Sequence, residues 1–200
     1  MKPTVWQELA KAPRKSYLDK VQRITPVQDR WVGSLLNMWG EAVGGNTAPT
    51  GKCGVIGRLM ISTEWDENKG ASIVKTVEDL HKLGYRGTEL FQKAKEIINP
   101  KNSFSILFTR ANEGEEAAFV DRIVLKEFTQ GNPVRAVAIQ YYCERKDMQE
   151  IACYLNRVHA PHLTLKQCID RIRWCREIFK ARMFYSLIRE MEVENLQKAA

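Results

Sequence analysis

Residues 147–182 read DMQEIACYLNRVHAPHLTLKQCIDRIRWCREIFKAR, and this stretch decides how the chain is to be folded. Asp147-Met148-Gln149-Glu150 is an Asp-x-x-Glu helix start, and Thr164-Leu165-Lys166-Gln167 is a Thr-x-x-Gln start. Between them Pro161 ends any helix that reaches it, because the ring removes a donor and restricts the preceding residue. The spacing predicts a helix over Met148–Asn156, a long connection through Arg157–Leu163, and a basic helix from Thr164. A small helix, a connection and a basic helix is the layout of a helix-turn-helix DNA reader.

On the second helix Leu165, Cys168, Ile169, Ile172, Cys175 and Phe179 recur at helical spacing and form one apolar stripe. Lys166, Gln167, Asp170, Arg171, Arg173, Trp174 and Arg176 fall on the other side. An arginine fork pairs bidentately with the O6/N7 edge of guanine, and glutamine does the same with adenine. Recognition helices present their N-terminal residues to bases, so Lys166, Gln167, Asp170 and Arg171 are the base-edge candidates. Arg173 and Arg176 are assigned to phosphate or partner contact. Arg145, Lys146 and Arg157 lie near helix ends and are candidates to clamp the DNA backbone. The competing reading is a charged outer face of a bundle helix, laced by Asp170 and Glu177. The helix is expected to reach Met191 or to break near Met183.

Outward from this block, the chain reads as almost wholly α. Hydrophobic residues make up 44% of the 200, enough for a sizeable core. Trp31, Val32, Leu35, Leu36 and Trp39 mark an amphipathic helix over 27–43, stopped by Gly44-Gly45. Further helices are predicted over 55–61, 72–83 before Gly84, 88–99 before Pro100, 113–128 before Gly131, and 133–142 with Pro133 in the first turn. The run Phe104–Phe108 is ambiguous and admits one short strand. Four regions are expected: a basic N-terminal arm over 1–26 with at most short helix, a helical body over 27–132, the reader over 133–191, and a flexible tail over 192–200.

The formal net charge is +7, with a pI near 9.2. The excess is uneven: residues 1–30 carry +4 and residues 121–182 carry +5, while the remainder is slightly acidic. Five cysteines without a CxxC motif, no secretory leader and no long apolar run predict a cytoplasmic protein with reduced thiols. Cys153, His159, His162 and Cys168 have zinc-ligand chemistry, but their spacing matches no common zinc framework. Small buried thiols account for them, so neither metal nor cofactor is assigned. Glu64, Asp66 and Glu67 form an acidic cluster that a metal-dependent nuclease would use. Glu113, Glu115 and Glu116 suit a helix N-terminus. No catalytic arrangement surrounds either cluster, which argues against an enzyme. Gly51-Lys52 lacks the rest of a phosphate-binding loop.

Three stretches also carry a family resemblance: Arg30-Trp31-Val32-Gly33 through Trp39-Gly40; Ala118-Phe119-Val120-Asp121-Arg122-Ile123-Val124; and Tyr141-Tyr142-Cys143-Glu144 through Ile151–Asn156, closed by Cys168-Ile169-Asp170-Arg171-Ile172. With these the chain resembles phage late-gene antitermination proteins of the Q type, in a divergent branch, over roughly residues 29–182. The last block is also similar to the promoter-reading helix-turn-helix of sigma factors. The resemblance implies a protein that binds double-stranded DNA near a late promoter, engages paused bacterial RNA polymerase with its sigma factor, and carries it through terminators. It further implies that arm and body meet polymerase or nascent RNA. The paired-cysteine zinc finger of some such proteins is missing here, so zinc is not carried over. Two other readings compete: a DNA-binding regulator without antitermination activity, and a phage nuclease built on Glu64, Asp66 and Glu67.

Overall fold

A computed structural model describes residues 4–11, 21–44, 59, 67–98 and 106–199, with side chains except those of 67, 106–116 and 194–199. Eight α-helices account for the described chain, and no strand occurs among these residues. They are α1 (Val5–Lys11), α2 (Pro26–Val43), α3 (Glu67–Lys82), α4 (Gly87–Ile98), α5 (Ile106–Glu127), α6 (Pro133–Ala138), α7 (Met148–Tyr154) and α8 (Leu165–Ala199). The described chain is therefore all-α. Ile106–Phe108, the part of the possible strand that lies among the described residues, is the first turn of α5. A run of three apolar residues cannot by itself distinguish strand from buried helix. The helix expected over 55–61 lies outside the described residues except for Leu59, which is buried.

Contacts divide the chain into two units, residues 24–121 and residues 1–23 with 122–200. The boundary falls inside α5, not at residue 132, and the N-terminal arm belongs to the same unit as the C-terminal third. Periodicity reveals which face a helix buries but not which partner covers it, so this grouping was invisible in the pattern.

In the unit 24–121, α3 packs against both α2 and α4. Thr25 caps α2 through a reciprocal pair: its hydroxyl accepts from the Gln28 backbone N–H (3.3 Å), and the Gln28 side chain accepts from the Thr25 N–H (2.8 Å). Trp31, Val32, Leu35 and Leu36 are fully buried. Trp39 buries its indole and donates from Nε1 to Asp121 Oδ1 at 2.9 Å, which satisfies the polar edge of a core aromatic. Helix α3 buries Ile73, Val74, Val77 and Leu80, and α4 buries Leu90, Phe91 and Ala94. Gly84, at φ +102°, ends α3; the Tyr85 N–H bonds to Leu80 O and the Gly84 N–H to His81 O, both at 3.2 Å. That is the paired closure a left-handed glycine permits.

The other unit is organised along α8. No proline or glycine interrupts residues 165–199, and Met183, Phe184 and Leu187 are buried, so the helix does not break near Met183 and does not yield to a tail at 192. Phe179, fully buried, lies 4.9 Å from the Phe128 ring and 6.1 Å from Tyr142. It thereby ties α8 to the end of α5 and to α6. At the C-terminal end of α5, Lys126 bonds Glu190 (2.5 Å) and Arg189 bonds Glu127 (2.7 Å). The Lys126 hydrogen bond holds the Glu190 carboxyl below its ordinary range. This contact therefore stabilises the fold above the ordinary carboxylate pKa and is lost as pH falls through the lowered one.

Phe179→Ala is expected to cost about 3–5 kcal/mol, since it empties the point where three elements meet. A urea midpoint unchanged from wild type would show that the cluster does not hold this unit together.

Candidate nucleic-acid interface

Helix α7 starts where its sequence asks it to. The Asp147 carboxylate accepts from the Glu150 N–H (2.7 Å), and the Glu150 side chain accepts from the Asp147 N–H (2.8 Å). Thr164 and Gln167 repeat the arrangement ahead of α8, at 3.2 and 2.8 Å. Between the helices the structure departs from expectation. Helix α7 continues as a wider turn over Leu155–His159, in which the Ala160 N–H reaches back to Leu155 O at 2.9 Å. This i→i+5 bond carries helical backbone up to the residue before Ala160-Pro161. The connection shrinks to residues 160–164, five residues including the cap.

Asn156 closes that connection. Its side-chain amide donates to Ala160 O (3.3 Å) and to Leu163 O (2.6 Å). Ala160 O also accepts from the Leu163 N–H at 3.0 Å, and the one Asn156 side chain serves both carbonyls. The signal available in the sequence was an asparagine just before a proline turn, a residue type that bonds nearby backbone.

The N-terminal arm contributes to the same unit. Thr4 and Gln7 form a further reciprocal cap, at 2.9 and 3.4 Å, and start α1. Leu9 and Ala10 are buried. The Trp6 ring stacks on His159 at 6.2 Å and meets Tyr154 edge-on at 5.5 Å, while His159 Nε2 lies 3.3 Å from the Tyr154 hydroxyl. His159 is thus committed to an aromatic cluster. No group of three or more His, Cys, Asp or Glu side chains among the described residues is placed to hold a metal ion.

Along α8 the stripe runs as predicted at Cys168, Ile172, Cys175 and Phe179, all buried, whereas Leu165 at the helix start is exposed. The polar candidates do not share one face. Lys166, Asp170 and Arg173 lie on the outward side, with Arg173 Nη1 3.2 Å from Asp170 Oδ1. Gln167 is exposed, but its side-chain oxygen is taken by the Thr164 N–H, which leaves only its amide donors for a base. Arg171 and Arg176 flank the buried stripe on opposite sides and are half-buried. Arg171 donates to Gln167 O (3.2 Å) and lies 5.9 Å from the Trp174 ring. Arg176 rests on the Tyr141 ring at 3.8 Å. Arg157 is exposed on the wide turn. Arg145 and Lys146 are exposed at the corner before Asp147, with Arg145 at φ +60° and Lys146 2.6 Å from Glu144. Lys166, Arg157, Arg171 and Arg176 make no ion pair among the described residues. Glu64 and Asp66, the acids on which a nuclease would rest, lie outside the described residues, as does the Glu67 side chain. Glu113, Glu115 and Glu116 lie within α5, more than a turn from its start at Ile106, so they do not mark a helix N-terminus.

Burial pushes the Cys175 thiol up to about 12, and burial likewise raises Cys168, opposed by a hydrogen bond from Asn156. In the folded protein at pH 8, Cys175 should resist alkylation and react only in urea; labelling at the unfolded rate would show the stripe to be open. Asn156→Ala should cost about 1–3 kcal/mol, because the Leu163 carbonyl loses its donor and Ala160 O loses one of two; thermal melting of the purified variant checks it.

Among the described residues, no helix is long and apolar enough to cross a membrane. No curated protein and no solved structure matches the chain. The family model described as "Protein of unknown function (DUF1133)" matches residues 14–191, and with nearly the whole chain covered the protein belongs to this family.

Proposed function

We propose that this protein is a double-stranded DNA-binding transcription factor of a bacteriophage, acting in the host cytoplasm as a late-gene antiterminator. The observation that carries the DNA-binding part is the set of cations that pair with no carboxylate among the described residues, around two helices that each start at a reciprocal cap: Lys166, Arg157, Arg171 and Arg176. Cations that no carboxylate neutralises are disposed to meet phosphate or base edges. The five-residue connection supports the same reading, because it approaches the tight turn of helix-turn-helix readers more closely than the sequence suggested.

The antitermination part rests on the resemblance to Q-type proteins. On that reading α8 supplies the address through Lys166, Asp170 and Arg173. The unit 24–121 then engages RNA polymerase with its sigma factor, and nascent RNA is a further contact. No metal or cofactor enters the mechanism.

Lys166→Ala and Arg173→Ala should each reduce preference for the cognate duplex by about 1–3 kcal/mol while leaving nonspecific binding nearly intact. Equal losses on all sequences would make both residues phosphate contacts. Arg145→Gly separates affinity from folding. Glycine tolerates the left-handed corner better, so the melting temperature should hold or rise while duplex affinity falls. Transcription in vitro through an intrinsic terminator tests the rest: no added read-through on a cognate template would reduce the protein to a DNA-binding regulator.

A further inference from the structure

We propose that Tyr141 is a positioning residue that holds the Arg176 guanidinium as a clamp for one DNA backbone phosphate. This rests on the DNA-binding reading above and names the ligand of one cation within it.

Arg176 projects from α8 at the edge of the buried stripe and sits over an aromatic ring, its carbon centre 3.8 Å from the Tyr141 ring centroid. Tyr141 is itself fixed. It sits on a wide turn over Ile139–Cys143, closed by the Glu144 N–H to Ile139 O bond at 3.0 Å, and meets the Tyr142 ring edge-on at 4.9 Å. One nitrogen of the guanidinium, Nη1, donates to the thioether sulfur of Met148 at 3.0 Å, a weak acceptor. The Nε atom is buried and has no acceptor among the described residues. No carboxylate among the described residues pairs with Arg176.

A guanidinium in this setting is ordered but not neutralised. The ring covers one side and Nε is buried, so the terminal Nη nitrogens are the donors available to a phosphate. Met148 places Arg176 beside the corner where Arg145 and Lys146 are exposed, with Lys146 paired to Glu144 and with Asp147 and Glu150 capping α7; exposed arginine there is a further donor of the kind that meets DNA phosphates. A carboxylate of a protein partner would also suit the fork, but a single acid would leave that corner unused.

The experiment is duplex affinity measured against salt concentration for the full chain. Arg176→Gln should weaken binding about 10-fold on cognate and unrelated duplex alike, and should reduce the slope of log K against log salt by about 0.9, one phosphate's worth. Tyr141→Leu should reproduce a large part of that loss, Tyr141→Phe should restore wild-type binding, and the double variant Tyr141→Leu/Arg176→Gln should be no weaker than Arg176→Gln. Arg176→Lys should fall short of wild type, since a point charge neither stacks nor forks in the same way. A wild-type chain that binds no duplex sinks the DNA reading and this clamp with it. Duplex binding with an unchanged slope in Arg176→Gln sinks the clamp alone, as do additive losses in the double variant. Loss of polymerase binding without loss of DNA binding would reassign Arg176 to a protein acid. Melting curves accompany each variant, and the Phe variant keeps the test valid if the Leu variant is destabilised.

Discussion

The place where each helix begins is the constraint on which the rest of this structure depends. Four helices start at the same reciprocal pair of hydrogen bonds, from Thr4 to Gln7, Thr25 to Gln28, Asp147 to Glu150 and Thr164 to Gln167. A helix has only its starting point and its period with which to choose what it buries. Once Thr164 is fixed as the cap of α8, residues 168, 172, 175 and 179 must fall on one side and 166, 170 and 173 on the other. A start displaced by one residue would rotate every later side chain by about 100° and set Lys166 or Arg173 towards the core. The boxes thus determine the core and the polar surface together.

The second device is the widened turn. Both α6 and α7 end in an i→i+5 turn, closed by Glu144 on Ile139 and by Ala160 on Leu155. Each adds a residue to one turn and shifts the side chains that follow, a local change often found where a helix carries function. In α6 the shift brings Tyr141 beneath Arg176; in α7 it brings His159 onto Trp6 and shortens the connection to α8. Sequence pattern foresaw neither turn. Ile139–Cys143 and Leu155–His159 contain nothing that distinguishes a wide turn from an ordinary one, because the choice is made by what the side chains meet.

The same division explains what was legible. The all-α class, the α2 core of Trp31 to Trp39, the stop at Gly84, Pro133 in the first turn of α6 and the α8 stripe follow from period and punctuation, and all are present in the structure. Helix α1 is the short helix that the arm admits; seven residues are too few for a period to place it, although Thr4 and Gln7 spell the same cap that identifies α8. Its role came from Trp6, whose partners lie about 150 residues away and leave no local trace. Gln167 shows a different limit. It was read both as a capping residue and as an adenine reader, and the structure gives its oxygen to the cap.

On the proposed reading, the distribution of charge about α8 bears on specificity more than the net excess does. The outward line runs Lys166, Asp170, Arg173, Glu177, alternating in sign, while Arg171 and Arg176, which pair with no carboxylate among the described residues, stand at its flanks. A uniformly basic helix would bind any duplex through its phosphates and gain no discrimination. An alternating centre has both donors for guanine and an acceptor for the cytosine amino group, and it penalises bases that match neither. The internal Arg173–Asp170 pair must then be exchanged for base contacts, and because that pair is solvent-exposed the exchange costs little. Fixed flanks and a reversible centre assign affinity and selectivity to different residues, which is why loss at Arg176 and loss at Arg173 should differ in kind, not only in size.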